Sequence, residues 1–144
     1  MSSLDKIFWY GVMHDQIDGV WHQVEPLVDR ALKYSEGEFD REKIIAGLKK
    51  RAMQLWCVRG AENGAPIAVV VTEVIPYPGR KKCIVVLLAG KELATWIHLL
   101  PAVLEPWAKE QGCQSMVAWC REGLAYVLKG LGWRRRQVVM EKEI

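Results

Sequence analysis

The sequence lacks several features that would place it quickly in a class of protein. It has no apolar run of about 18 residues, the length that a membrane-crossing helix needs. Its first ten residues, MSSLDKIFWY, do not form the basic-then-apolar pattern of a secretory signal. It also has no G-x-S-x-G elbow, no P-loop and no dinucleotide-binding glycine fingerprint. These absences predict a soluble intracellular protein outside the commonest hydrolase and nucleotide-dependent classes.

Metal-binding and disulfide patterns are missing as well. The three histidines share no ligand spacing with one another or with the cysteines. The chain has four cysteines without C-x-x-C spacing, each in or beside a strand-like apolar segment: Cys57, Cys83, Cys113 and Cys120. We therefore predict buried free thiols in a reducing compartment, with no disulfide and no metal site.

Net charge is also low. The chain carries 20 lysines and arginines against 17 acidic residues, a formal charge of +3, and its one basic cluster is Arg134–Arg136. So small and scattered a charge argues against nucleic acid as a partner. At 144 residues, 51% of them hydrophobic, residues 1–144 are predicted to form a single domain with a proper core.

The stretch Lys82–Gln111 changes its hydrophobic period at Gly90. Before the glycine, Cys83–Ala89 is continuously apolar, which is typical of a strand covered on both faces. After it, apolar residues recur at helical spacing from Leu93 to Trp107, so this segment is predicted to be a helix bent or broken by its two prolines. Trp107 is predicted to belong to the core. A buried strand that turns into an amphipathic helix is half of a βαβ unit.

Two helices are predicted upstream. Lys6–Val12 is aromatic and β-prone and predicts a short first strand. A helical pattern follows from Val20, with Asp18 available as its N-cap and Pro26 inside it, where proline predicts a kink or a start just before it. The second helix is predicted to begin after Asp40 as its N-cap.

The remaining segments predict strands. Gln54–Arg59 and Ala65–Ile75, separated by the turn Gly60–Gly64, read as a β-hairpin. Gln114–Cys120 and Trp133–Glu141 read as two further strands around a helix-like stretch. The sequence thus predicts an α/β fold with a mixed, mostly antiparallel sheet and helices on both faces.

This order of elements resembles the GNAT superfamily of N-acetyltransferases over roughly Gly19–Lys142. In the ending Arg121–Lys142, the sequence REGLAYVLKGLGWRRRQVVMEK is similar to the family's last helix, its glycine-aromatic corner at Gly132–Trp133, and its final strand. A further combination resembles more narrowly the GNAT-like proteins of tailed phages and prophages: Trp21, the strand QLWCV, Thr72–Glu73 and Gly112–Cys113.

The resemblance implies a cofactor and a set of site residues. If the protein is active, its cofactor is acetyl-coenzyme A, and otherwise it has none. The pantetheine arm would be held by backbone groups of a short stretch of the central strand, and the pyrophosphate by the loop after it: Val86, Leu87, Leu88, Gly90 and Lys91. Glu73, in the middle of a long strand, is a speculative general base for an amine substrate, and the alternative is an outward-facing strand residue.

The sequence departs from the family pattern at the positions that carry the chemistry. The family's phosphate loop has two or more glycines, whereas this loop has Gly90 alone and adds the carboxylate of Glu92. Leu128 stands where the family often has a tyrosine general acid, and Tyr126 lies about 160° away around the helix. Arg121 replaces a common asparagine. We therefore expect acetyl-coenzyme A to bind with a dissociation constant near millimolar or weaker.

Two functional hypotheses remain from the sequence. The first is a degenerate GNAT-fold protein of phage or prophage type that acts as a structural or interaction component, with phage or host proteins as partners. The second is an active acyltransferase that modifies an amine on a small molecule or a protein. Both place the protein in the host cytoplasm or the virion, away from membranes, and both leave its oligomeric state open.

Overall fold

A computed structural model describes residues 6–34, 37, 39–60 and 64–144. Its centre is a five-stranded sheet in which each strand lies beside the next one in the chain. The strands are β1 Phe8–Val12, β2 Met53–Arg59, β3 Ala68–Pro76, β4 Lys81–Gly90 and β5 Ser115–Ala118. The first three pairings are antiparallel and the last, β4 with β5, is parallel. The predicted α/β fold with a mixed, mostly antiparallel sheet is confirmed.

The helices cover both faces of this sheet. They are α1 Ile17–Leu32, α2 Arg41–Lys49, α3 Leu93–Trp96, α4 Leu100–Glu110 and α5 Glu122–Lys129, with 3-10 turns at His14–Gln16 and Ile97–Leu99. Among the described residues, no helix is both long and apolar enough to cross a membrane.

Two apolar clusters form the core, one on each face of the sheet. Side chains of α1 and α2, such as Val28 and Ile44, pack on one face. The segment α3, the 3-10 turn Ile97–Leu99 and α4 pack on the other face, where Trp96 and Leu104 are fully buried. Trp107 contacts this second cluster but is only half-buried, with its ring 5.2 Å from that of Trp56 in an edge-to-face pair. Successive strand residues point to opposite faces, so β2 and β3 supply both clusters.

Of the two N-cap residues predicted from the sequence, the one for α2 is confirmed and the one for α1 is wrong. Asp40 caps α2 as predicted, because its Oδ1 accepts a hydrogen bond from the backbone N–H of Lys43 at 2.7 Å. Asp18 is not the cap of α1, which begins at Ile17. Pro26 lies inside α1 and does not end it. The carbonyl that Pro26 leaves without a donor is that of His22, and both residues are exposed, so water can satisfy it.

The helix after β4 is broken, as its prolines predicted. One turn, α3, is followed by the 3-10 turn, and α4 begins with Pro101 in its first turn. Proline fits there because the N–H groups of the first helical turn have no intrahelical acceptor. Pro106 lies within α4 at an exposed position and does not end it.

The prediction of a final strand at Trp133–Glu141 was wrong. After α5 the chain turns at Gly132, which has φ +94°, and residues 134–144 form neither helix nor strand and are all exposed. The predicted strand at Gln114–Cys120 is present but shorter, as β5. A strand needs a neighbour for its backbone hydrogen bonds, and the β-prone residues of the ending have none within the described chain.

The cysteines are free thiols, as predicted, but they are not all buried. Cys57 and Cys83 are buried in strands, Cys113 is half-buried and Cys120 is exposed. Burial raises the pKa of the Cys57 thiol to about 11 and that of Cys83 to about 12. Since the thiolate is the reactive form, these two thiols have neither the access nor the ionisation that alkylation requires.

We therefore expect brief treatment of the native protein with iodoacetamide at mildly alkaline pH to modify Cys120 first and to leave Cys57 and Cys83 unmodified. Peptide mass spectrometry measures the site occupancy, and the same treatment in denaturant should modify all four cysteines. Rapid native modification of Cys83 would contradict the buried placement of β4.

Candidate functional site

A bulge divides β4 into two parts. Val71 of β3 pairs with Leu87, but the next residue, Thr72, pairs with Val85, so Val86 is an extra residue without a partner on β3. A bulge of this kind bends its strand and increases the local twist. The two halves of β4 therefore diverge in direction at Val86.

The pairing of β4 with β5 ends at the same place. The last matched pair is Val85 with Ala118, and in the described part of the chain β5 pairs with no residue of β4 from Val86 onward. From Val86 to Gly90, the side of β4 that faces away from β3 presents backbone groups to an opening between the two strands. Three of the five predicted cofactor-binding residues, Val86, Leu87 and Leu88, lie along this opening, so the structure brings them together as a free strand edge.

Gly90 ends β4 in close contact with β3. A Cβ atom built on it would lie 2.4 Å from Cβ of Ala68 and 2.7 Å from the carbonyl oxygen of Ile67, distances that no side chain tolerates. The backbone N–H of Lys91 donates to that same carbonyl at 2.9 Å. Glycine at this position is therefore required by strand packing, whether or not a ligand binds.

The loop after Gly90 is fixed from inside the protein. The indole Nε1 of the fully buried Trp96 donates to the carbonyl oxygen of Lys91 at 2.8 Å. Thr95 binds the carbonyl of Glu92 twice, with its backbone N–H at 2.9 Å and its hydroxyl at 2.7 Å. Between these anchors Glu92 adopts a left-handed backbone, with φ +54° and ψ +45°. That conformation costs a residue with a Cβ roughly 1–2 kcal/mol.

The loop offers little to a pyrophosphate. The helix that starts at it, α3, has only four residues before the 3-10 turn, so few aligned peptide dipoles point at the loop. Lys91 and Glu92 are both exposed, and their opposite charges nearly balance. A single glycine, already required by β3, leaves no second position where backbone alone could meet a phosphate oxygen.

Glu73 lies one strand away from the opening. It pairs with Met53 on one side and Ile84 on the other, and Ile84 pairs in turn with Val117 of β5. Its row on the sheet is therefore one residue before the last β4–β5 pair, and its side chain is half-buried between apolar neighbours. Within the described residues, Glu73 lies near the opening and has no hydrogen-bonded partner that would orient it as a base.

A buried polar chain supports β3 beside the bulge, and the sequence did not predict it. The indole of Trp56 donates to the hydroxyl of Thr72 at 3.0 Å, and that hydroxyl donates to Oε1 of Gln54 at 2.8 Å. Thr72 is fully buried and is the residue opposite Val85, at the start of the bulge. The spacing of Gln54, Trp56 and Thr72 gives no signal for this chain, because it depends on the register of β2 against β3.

The helix α5 supplies no proton donor to the opening. Leu128, which stands where the GNAT family often has a tyrosine general acid, is buried, while Tyr126 is 83% exposed. The guanidinium of Arg121 lies 3.9 Å from the ring centroid of Tyr34, just past the end of α1, where it forms a cation–π contact. The structure thus confirms that Tyr126 lies away from the buried face of α5.

Among the described residues, no group of three or more His, Cys, Asp or Glu side chains could hold a metal ion.

A surface groove lies beside α1, and no predicted site residue lines it. The groove has a volume of about 410 Å³ and includes Tyr10, Gln23 and Arg59. The guanidinium of Arg59 lies over the ring of Tyr10 at 4.8 Å. This groove lies at the β1 end of the sheet, whereas the opening lies between β4 and β5 at the other end.

No protein-family model matches the chain, and no curated protein sequence matches it. Solved structures do match. An aminoglycoside acetyltransferase from an uncultured soil metagenomic sample is 10% identical, with a TM-score of 0.68 and 97% of each chain covered.

Two further acetyltransferases match over nearly their whole length. A GCN5-related N-acetyltransferase from Ralstonia eutropha is 18% identical, with a TM-score of 0.64, and the match covers 96% of this chain and 99% of that one. A predicted acetyltransferase with acetyl-CoA from Clostridium acetobutylicum is 16% identical, with a TM-score of 0.63 and 96% of each chain covered. At these identities the likeness is one of fold, and the chain has the fold of the GNAT acetyltransferases.

Proposed function

We propose that this chain is a GNAT-fold, acyltransferase-like protein of phage or prophage type that has lost tight coenzyme A binding and acts as a structural or interaction component. The observation that supports the proposal is the conformation of the loop after β4. Glu92 is held there in a left-handed conformation, with a carboxylate where a pyrophosphate would need backbone amides. The cleft of the fold is retained while its phosphate site is not.

The magnitudes favour weak binding. The dipole of a helix end contributes about 0.3–1 kcal/mol toward an anion, and α3 is too short to reach the upper value. An exposed charge pair contributes about 0–1 kcal/mol, so the attraction of Lys91 and the repulsion of Glu92 nearly cancel. Little then offsets the entropy lost when a long flexible ligand is ordered.

A second candidate function is an active acyl-coenzyme A-dependent N-acyltransferase. The specific observation in its favour is the opening at Val86, where the free edge of β4 can accept the amide groups of a pantetheine arm as another strand would. In this case Glu73 is the candidate base and the acceptor is an amine. Catalysis would then depend on holding the amine and the acyl group close together and on the polar backbone groups of β4, because α5 places no proton donor at the opening.

Calorimetric titration with acetyl-coenzyme A at moderate salt distinguishes the two candidates. We expect a dissociation constant near millimolar or weaker, about −4 kcal/mol. Glu92→Gln should bind several-fold more tightly, because it removes one negative charge and leaves the side-chain length unchanged. Glu110→Gln, which removes another exposed carboxylate at the far end of α4, is the matched control and should bind like the parent.

Micromolar binding by the parent would reject the degenerate protein and make the acyltransferase the better proposal. An assay for transfer of the acetyl group to amines, with Glu73→Gln as the variant, would then test the candidate base. If the parent and Glu92→Gln both bind too weakly to measure, even at high ligand concentration, the charge of Glu92 is not what weakens coenzyme A binding.

A further inference from the structure

We propose that the cavity between the end of α2 and the start of β2 binds a small monocarboxylate, a carboxylic acid with a short apolar chain. Its carboxylate would be held by the side chains of Arg51, His14 and Gln54, which line the cavity. The proposal does not depend on coenzyme A binding. Since β2 and β4 lie on opposite sides of β3, this cavity is separate from the opening between β4 and β5.

The cavity exists because β2 starts before its pairing with β1. The pairing of these two strands ends at Val12 and Leu55, so Met53 and Gln54 have no partner on β1 in the described part of the chain. Beyond Val12 the chain leaves the sheet for the 3-10 turn His14–Gln16, and the space that remains has a volume of about 190 Å³. Pockets for drug-sized ligands have about 300–1,000 Å³, so a ligand for this cavity is small.

Arg51 occupies a position that normally belongs to glycine. The N–H groups of Arg51 and of the next residue donate to the carbonyls of Leu48 and Gly47, at 3.2 and 2.9 Å, which is the Schellman ending of a helix. This ending needs a left-handed backbone, and φ at Arg51 is +64°. A positive charge near the end of α2 is favourable, but Lys49 and Lys50 already supply it. The helix end therefore does not explain an arginine here, whereas a role for its guanidinium does.

The polar side chains of the cavity offer hydrogen-bond donors. Nη2 of Arg51 lies 2.9 Å from Nε2 of His14, and because arginine can only donate, Nε2 accepts and Nδ1 carries the ring proton. Gln54 accepts the hydroxyl proton of Thr72 on Oε1, at 2.8 Å, so its NH₂ group is left to donate. Such a set of donors is complementary to a group that only accepts, and an ionised carboxylate is one. A guanidinium can bind a carboxylate through two parallel hydrogen bonds.

The charges around the cavity also favour an anion. Among the described residues, no acidic side chain forms an ion pair with Arg51, so the pair of Arg51 and neutral His14 carries one positive charge. The acids on the neighbouring elements do not line the cavity. Asp15 lines the groove beside α1, Asp18 pairs with a lysine of α2 at 2.8 Å, and Glu73 lies on β3 opposite Met53.

The remaining walls distinguish a monocarboxylate from a phosphate. They are apolar and include Ile17, Leu48 and Met53, which suit a short hydrocarbon chain. The C-terminal end of α2 carries the negative end of its dipole, which disfavours a second negative charge on the ligand. One charge with an apolar chain therefore fits the cavity better than the near-dianion of a phosphate.

Titration of the full chain with sodium butyrate, followed by NMR of the side-chain N–H signals, is the first test. We expect saturable shifts for the signals of Arg51 and Gln54. Inorganic phosphate should bind more weakly, and sodium chloride at the same ionic strength should give no saturable shift. Linear shifts that chloride reproduces overturn the proposal, and tighter binding of phosphate than of butyrate overturns the assignment to a monocarboxylate.

Two variants then test the donors. Arg51→Gln and Gln54→Glu should each weaken butyrate binding by at least about tenfold, because each removes a donor to a charged group. Gln54→Glu keeps an oxygen for the hydroxyl of Thr72. The matched control is Arg30→Gln, which changes an exposed arginine near the end of α1 and should bind butyrate like the parent. Binding by both variants at the parent's affinity overturns the proposal.

A third variant, Arg51→Gly, separates binding from folding. Glycine adopts the left-handed backbone of this position without strain, so the midpoint of thermal unfolding should not fall below that of the parent. Butyrate binding should nevertheless be lost with the guanidinium. An Arg51→Gly protein that binds butyrate as tightly as the parent would show that the arginine is not part of the site, and would overturn the proposal.

Discussion

Replacement of Trp96 by alanine is expected to destabilise the protein by about 3–5 kcal/mol, the cost of removing a large aromatic side chain from a packed core. Trp96 is fully buried on the α4 face, and its ring lies 5.7 Å from that of Trp9. Its indole also fixes the loop after β4 through the carbonyl of Lys91. For a domain with a total stability of about 5–15 kcal/mol, this one change removes a large fraction of that stability.

Denaturant unfolding followed by circular dichroism measures the effect, and two other variants separate its causes. Trp96→Phe keeps most of the ring volume and loses the hydrogen bond, so it should cost much less than alanine. Trp119→Ala removes a tryptophan that is 59% exposed and should change the free energy of unfolding only slightly. Equal effects of Trp96→Ala and Trp119→Ala would show that the helix after β4 is not packed as described.

Substitution of Gly90 by alanine is expected to cost at least about 3 kcal/mol. Overpacking alone typically costs about 1–3 kcal/mol, and backbone strain about 1–3 kcal/mol more. Here both act together, because φ at Gly90 is +157° and the added Cβ would meet Ala68 at 2.4 Å from its Cβ and 2.6 Å from its Cα. The backbone atoms cannot move aside without separating β3 from β4.

The midpoint of thermal unfolding checks this prediction. Gly79→Ala is the matched control, since a Cβ there would meet nothing within 4 Å, and its midpoint should stay close to that of the parent. Adding Ala68→Gly to Gly90→Ala removes the nearest contact but leaves the one with the Cα of Ala68, so it should recover only part of the loss. A Gly90→Ala protein as stable as the parent would mean that β3 and β4 are further apart at this end.

Local signals in the sequence were reliable where contacts between residues a few positions apart set the structure. The change of hydrophobic period at Gly90 predicted both the buried strand β4 and the helical segment after it. The side chain of Asp40 caps α2 through a residue three positions away, a contact that needs no distant partner. The turn before β4 contains Pro78 and Gly79, two residue types typical of turns, and the N–H of Tyr77 closes it by donating to the carbonyl of Arg80 at 2.7 Å.

The features that decide the site depended on partners far along the chain. The bulge at Val86 is defined by the pairing of β4 with β3, and no pattern within β4 reveals it. The left-handed backbone of Glu92 results from the anchors at Trp96 and Thr95, and its residue type gave no warning of it. The chain Trp56–Thr72–Gln54 likewise depends on strand register.

The sequence by itself thus determined the α/β class, the order of the elements through α5, and the absence of a second glycine from the phosphate loop. Only the tertiary structure decided where the pairing of β4 with β5 ends, and that the ending Trp133–Glu141 is not a strand within the described part of the chain. The physical reason is that hydrophobic period and capping are set within a few residues. Strand pairing needs a second backbone, and its position is settled only when the whole sheet has formed.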